Sequence, residues 1–217
     1  MIRLTRSGVE FRGSDGELES LRAEFERADL IHLPGFLEPS LLRLVQDRLD
    51  ASPFRRIDRS IGTELQPTDP TAMFTLGLLL NSARVFDLVR RATGCARIAS
   101  FTGRIYRRLP GPEYRHEWHD DITGGGRLLA LSINLSREAY EGGRLELRDA
   151  ASRHVLCEAA NTGAGDAILF RIDPRLQHRI ARVEGESAKT AMAGWFKSKP
   201  DENARLPSSG ADSGAVG

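Results

Sequence analysis

From Ala96 onward the chain is written in short alternating segments cut by glycine turns, and few folds accept that texture. Strands are expected at 97–108, 114–121, 127–135, 143–149, 153–158, 166–171, 176–183 and 188–197. Side chains on a strand alternate faces, so such segments suit sheets with one buried side. Eight short strands at this spacing fit a two-sheet sandwich or barrel of the jelly-roll type. A length of 217 residues suits one structural domain and is ample for its core.

Upstream the period changes to helical. Asp15–Arg27 places Leu18, Leu21 and Phe25 on one face, and a short strand follows at Leu30–Leu33. Pro39 suits the first position of a helix to Asp50 whose apolar face is Leu41, Leu42, Val45 and Leu49. Thr71–Thr93 reads as one or two helices broken near Asn81-Ser82, with Phe74, Leu78, Val85, Phe86 and Val89 as core candidates. Ser52–Pro70 has no period and holds three prolines, so a long mobile loop at the substrate entrance is expected, with Arg55, Arg56 and Arg59 as candidate contacts for an anion. The chain divides into a helical region at 1–95 packed on the sheet, a core at 96–199, and an aperiodic Ser/Gly/Ala tail at 200–217 expected to be disordered.

Chemistry concentrates in Tyr114–Asp121, expected as a strand running into a turn at Gly124-Gly125-Gly126. Alternation puts Glu117, His119 and Asp121 on one face and His116, Trp118 and Asp120 on the other. An imidazole and a carboxylate two residues apart can reach one metal ion. A third ligand from another strand, best supplied by His178, completes a 2-His-1-carboxylate face of the kind non-heme Fe(II) oxygenases use. His116 faces away from that pair, and His32 and His154 read as structural or surface histidines. The glycine run is no phosphate loop, because no Gly-Lys-Ser/Thr follows it.

His119-x-Asp121, then His178, then Lys189 resembles the Fe(II)/2-oxoglutarate-dependent oxygenase superfamily over residues 96–198. Glu141-Gly142-Gly143, Gly165–Phe170 and Ala193–Phe196 stand in the matching order around the ligands. The resemblance implies a double-stranded β-helix, that is, a mainly β jelly-roll or cupin-like core with N-terminal helices. It also implies that His119, Asp121 and His178 ligate iron and that Lys189 holds the far carboxylate of 2-oxoglutarate. Tyr106 and Asn134 are further candidate contacts for that cosubstrate. The implied reaction consumes O2 and 2-oxoglutarate, with ascorbate as a reductant, and hydroxylates a protein side chain, an amino acid or a small metabolite with release of succinate and CO2. Two departures stand out: lysine where many members carry arginine, with Ala191 where they carry serine or threonine, and eleven residues from His178 to Lys189. A non-catalytic metal-binding sensor, or an inactive relative, is the alternative.

Composition narrows the partners. Basic and acidic residues number 31 and 30, so no global field points to nucleic acid or a membrane surface. Relatives that repair alkylated nucleic acid carry extra arginines on the last strand, and none lies between Lys189 and Lys197. Two cysteines, Cys95 and Cys157, in no Cys-x-x-Cys pair, suit a reducing compartment, and with no apolar leader or span a cytoplasmic protein is expected.

Overall fold

The computed structural model describes residues 1–200 apart from Arg115 and Gly124; the tail expected at 200–217 lies, beyond Pro200, outside the described residues. A hairpin of β1 (Ile2–Thr5) and β2 (Gly8–Phe11) leads into helix α1 (Asp15–Ala28), strand β3 (Leu30–Leu33) and helix α2 (Pro39–Asp50). Strands β4 (Phe54–Arg59) and β5 (Gly62–Pro67) precede helices α3 (Thr71–Leu80) and α4 (Ala83–Thr93). The rest is β: β6 (Ser100–Arg108), β7 (Arg127–Asn134), β8 (Glu141–Gly142), β9 (Leu145–Asp149), β10 (Val155–Ala159), β11 (Ala167–Arg171), β12 (Leu176–Ile180), β13 (Val183–Glu184) and β14 (Lys189–Lys197).

Seven strands form the major sheet in the order β3-β11-β7-β14-β6-β5-β4, and β10-β9-β12 form the minor one, with β8 and β13 paired beside them. Pairing within both sheets is antiparallel. The outer face of the major sheet carries Phe101, Ile105, Leu129, Leu131, Ile133, Leu169, Met192 and Phe196, packed in one cluster with the helices. The inner face meets the minor sheet across a smaller cluster of Ala130, Leu145, Leu147, Ile168, Phe170 and Ile180. This is the expected mainly β jelly roll with helices on one side.

Local chemistry explains the helices. Ser14 caps α1 in a reciprocal box with Glu17, and Leu18 and Phe25 are buried. Pro39 opens α2, and Leu41, Leu42, Val45 and Leu49 are buried as its period requires. Asn81 breaks the next pair, its amide donating to Gly77 O and Phe101 O and accepting from Phe101 N, before Ser82 caps α4. Phe74 and Leu78, expected in the core, are instead 71% and 79% exposed. α3 is apolar on every face, so its period had no contrast, and the buried stripe is Ala72, Leu76 and Leu80.

Two other expectations are corrected. Ser52–Pro70 is not a loop: β4 and β5 pair from Phe54↔Pro67 to Arg59↔Gly62 and join the major sheet at Leu65↔Arg107. At an edge, strands need little apolar alternation, and Phe54 packs under the Arg107 guanidinium 4.0 Å away. Nor is 114–121 a strand. Among the described residues its ladder pairing is limited to two isolated bridges, Gly62↔His116 and His119↔His178.

Candidate active site

A cavity of about 540 Å³ opens between the sheets, and His116, His119, Asp121, His178 and Trp195 line it. His119 N donates to His178 O at 3.1 Å, and His178 N donates to His119 O at 2.8 Å. This two-bond bridge seats the rings with centroids 4.2 Å apart. The chain then turns: Ile122 N donates to the Asp120 side chain at 3.1 Å, and Asp121 sits at φ 62°. Aspartate tolerates that left-handed conformation better than most residues. His119 and Asp121 thus share the site through a bridge and a turn rather than through strand alternation.

The donor atoms are arranged for one ion. His119 Nε2 and His178 Nε2 lie 3.7 and 3.3 Å from Asp121 Oδ2. One ligand atom from each of the three residues lies within 4.8 Å of the others, and no other such His/Cys/Asp/Glu group occurs among the described residues. Glu117 O can only accept, so the 2.9 Å contact to His119 Nδ1 puts the proton there and leaves the Nε2 lone pair free. Burial, then the charge of His178, lowers the His119 pKa to about 4, which keeps the ring neutral. Burial would raise the Asp121 pKa, but the His178 ring, then the His119 ring and the bond from Trp195, outweigh it, so the carboxylate stays ionised.

Two neighbours hold that carboxylate. Arg127 Nη1 donates to Oδ1 at 2.6 Å, and Trp195 Nε1 donates to Oδ2 at 2.8 Å. Arg127 also stacks on the Trp195 ring at 3.7 Å. Each carboxylate oxygen has two acceptor sites, so Oδ2 keeps one turned to the imidazoles. Two imidazole nitrogens and one carboxylate oxygen with open space beyond are the donor set Fe(II) accepts.

Residues 104–197 match the model of the 2OG-Fe(II) oxygenase superfamily. They belong to that superfamily. Its cofactors are Fe(II), 2-oxoglutarate and O2, and its members are dioxygenases. No curated protein matched the sequence. Among solved structures, a Pseudomonas putida prolyl-4-hydroxylase is similar with a TM-score of 0.63 at 15% identity, covering 84% of this chain and 100% of that one. A Trichoplax adhaerens prolyl hydroxylase in complex with a hypoxia inducible factor peptide fragment gives 0.60 at 16%, covering 85% and 90%. The non-heme α-ketoglutarate-dependent epimerase SnoN from nogalamycin biosynthesis gives 0.62 at 17%, covering 92% and 93%. At these identities the likeness concerns the fold.

The other expected residues separate. Tyr106 is buried and lines the cavity, and burial raises its pKa. Lys189 is 1% exposed but is not on the cavity wall; its Nζ donates to Gly143 O at 2.5 Å and sits 5.4 Å from the Tyr140 ring. Burial, then the charge of Arg108, lowers its pKa to about 7. Asn134 is off the wall, its amide donating to Gly163 O at 3.0 Å and accepting from Ser136 N at 2.9 Å, so both ends hold backbone. Glu117 is exposed, and Gly124 of the expected turn lies outside the described residues.

Several cavity residues were not anticipated. His116 lines it 4.6 Å from the His119 ring, with Nδ1 accepting from Ile180 N at 3.0 Å. Buried Glu64 binds Arg104 Nε at 2.8 Å and Arg59 Nε at 3.1 Å, setting both arginines on the wall. Arg108 lines it too. The signal for Arg104 and Arg108 was present, since both alternate in phase with Tyr106 along β6.

Proposed function

We propose that this chain is an Fe(II)- and 2-oxoglutarate-dependent hydroxylase of a protein side chain, an amino acid or a small metabolite, with release of succinate and CO2. The observation that carries the proposal is the convergence of His119 Nε2, His178 Nε2 and an Asp121 oxygen beside an open cavity. Iron, the 2-oxo acid and O2 supply the oxidising power. The chain supplies position and shielding. Glu117 O aims His119, while Arg127 and Trp195 fix Asp121, so the three donors need little rearrangement to take an ion. Ala130, Leu145, Phe170 and Ile180 give the cavity an apolar wall that keeps bulk water from the reacting centre. The basic end beside Tyr106, with Lys189 behind it, suits the far carboxylate of 2-oxoglutarate. Peptide and small-molecule substrates are both consistent with the reading, since the similar structures include an enzyme bound to a peptide fragment and an epimerase of nogalamycin biosynthesis.

The test is stepwise. Purified protein should bind Fe(II) without oxygen, bind 2-oxoglutarate only then, and form succinate on admission of air, with His178→Ala failing at the first step. Metal and 2-oxoglutarate uptake with no succinate across a substrate panel would make the chain a sensor module instead.

A further inference from the structure

On the inner face of the major sheet, β6 presents Arg104, Tyr106 and Arg108, and β14 sets Ala193, Ala191 and Lys189 opposite them in register. Two alanines leave space between the metal end, where Trp195 holds Asp121, and the end where the two cations pair. The cavity arginines differ sharply in what they hold. Arg59 and Arg104, 42% and 21% exposed, share Glu64, and Arg127, at 22%, is bound to Asp121. Arg108 is 3% exposed, its Nε and Nη1 are buried with no hydrogen-bond partner, and no carboxylate lies in ion-pair range among the described residues. Its guanidinium lies 5.0 Å from the Tyr106 ring centroid. A guanidinium stays charged in proteins, and a buried charge without a partner is costly. Such a group is accounted for by an anion that arrives with a ligand.

We infer that Arg108 is the anchor for the far carboxylate of 2-oxoglutarate, with Lys189 reinforcing it from behind. The inference rests on the oxygenase reading above. Depth assigns the anion to the cosubstrate rather than the substrate, because the arginines nearer solvent already have carboxylates. Lys189 is less well placed, since it is off the cavity wall and its ammonium is committed to Gly143 O. A guanidinium also offers a planar fork that matches a carboxylate with two bonds, which an ammonium cannot. The cavity is therefore built for 2-oxo acids that end in a second carboxylate.

The experiment is anaerobic calorimetry of the Fe(II)-loaded protein with 2-oxoglutarate and with 2-oxobutanoate, which has the same keto-acid end and no far carboxylate. Arg108→Met should weaken 2-oxoglutarate binding by about thirty-fold or more and leave 2-oxobutanoate within about twofold. Arg108→Lys should fall between Met and wild type. Without ligands the Met variant should melt no lower than wild type, because it loses an unpaired buried charge, but it should lose the upward shift that 2-oxoglutarate gives. Wild-type affinity for 2-oxoglutarate in both variants would overturn the inference, as would an equal loss for both acids, which marks a structural arginine. Loss confined to Lys189→Met would move the anchor to the lysine. Wild-type protein that binds Fe(II) but no 2-oxoglutarate would instead sink the oxygenase reading itself.

Discussion

Glu64 organises the cavity mouth, and replacing it with glutamine tests whether that buried carboxylate matters. It is 2% exposed and accepts from Arg104, Arg59 and Gln66 at 2.8, 3.1 and 2.7 Å. Burial pushes its pKa up, but the charge of Arg104 and the bonds from Arg104, Gln66 and Arg59 hold it below the usual carboxylate range. Removing one partner of a fully buried pair costs roughly 3–5 kcal/mol. Here the arginines are 42% and 21% exposed, so solvent screens part of the loss, and glutamine keeps one acceptor oxygen. That leaves about 2 kcal/mol, or roughly 4–8 °C in Tm for a chain of this size. A folded pKa below the unfolded one means the contribution is fully present above about pH 4.3 and is lost as pH falls through the folded value. Urea denaturation should show a lower midpoint for Glu64→Gln at pH 7 with an unchanged slope, and the gap should close below about pH 4. Equal midpoints at pH 7 would refute the reasoning, and so would a gap that persists in acid.

Other outcomes follow from the same geometry. His119→Ala, Asp121→Ala and His178→Ala should each abolish tight Fe(II) binding in an anaerobic titration while circular dichroism shows a folded chain, since a three-donor face has no spare ligand. Trp195→Phe keeps a ring beside Arg127 but drops the bond to Asp121, so Fe(II) affinity should fall by about ten- to a hundredfold, measured by competition with a chelator. Lys189 has a folded pKa of about 7, below its ordinary value, so the unfolded chain binds the extra proton and stability should rise from pH 7 toward pH 10. Lys189→Met should flatten that rise in urea midpoints and be the more stable protein at pH 7; parallel profiles would remove the buried ammonium from the account.

How far the sequence could be read depended on contrast. In α2, charged and apolar residues alternate at helical spacing, and the four buried leucine and valine positions could be named. In α3 every face is apolar, so Phe74 and Leu78 carried no mark of exposure. The β4–β5 hairpin failed for the opposite reason: Phe54–Arg59 exposes most of both faces, and its partner strand ends on Pro67, so neither period nor punctuation announced a strand. The eight-segment pattern from residue 97 was legible because short segments rich in apolar residues are cut at regular intervals by glycine and other turn residues. Its one failure, 114–121, is where the chain leaves the ladder to present ligands.

The site divides along the same line, for a reason of number rather than geometry. Five histidines occur in the chain, so a His-x-Asp step followed by a further histidine among glycine-cut strands has few rivals, and the metal cluster could be named even though the strand invoked to build it does not exist. Basic residues number 31, and alternation with Tyr106 marks Arg104 and Arg108 only as facing the same way, not as paired or unpaired. What singles out Arg108 is that it is buried, that nothing in β6 can neutralise it, and that its cross-strand partner is another cation, Lys189, 81 residues away in the chain. Pairing across strands that distant is a property of topology, and no local pattern encodes it. Metal ligands are therefore read from residue type and spacing, whereas an anion site is read from which buried charge the fold leaves without a partner.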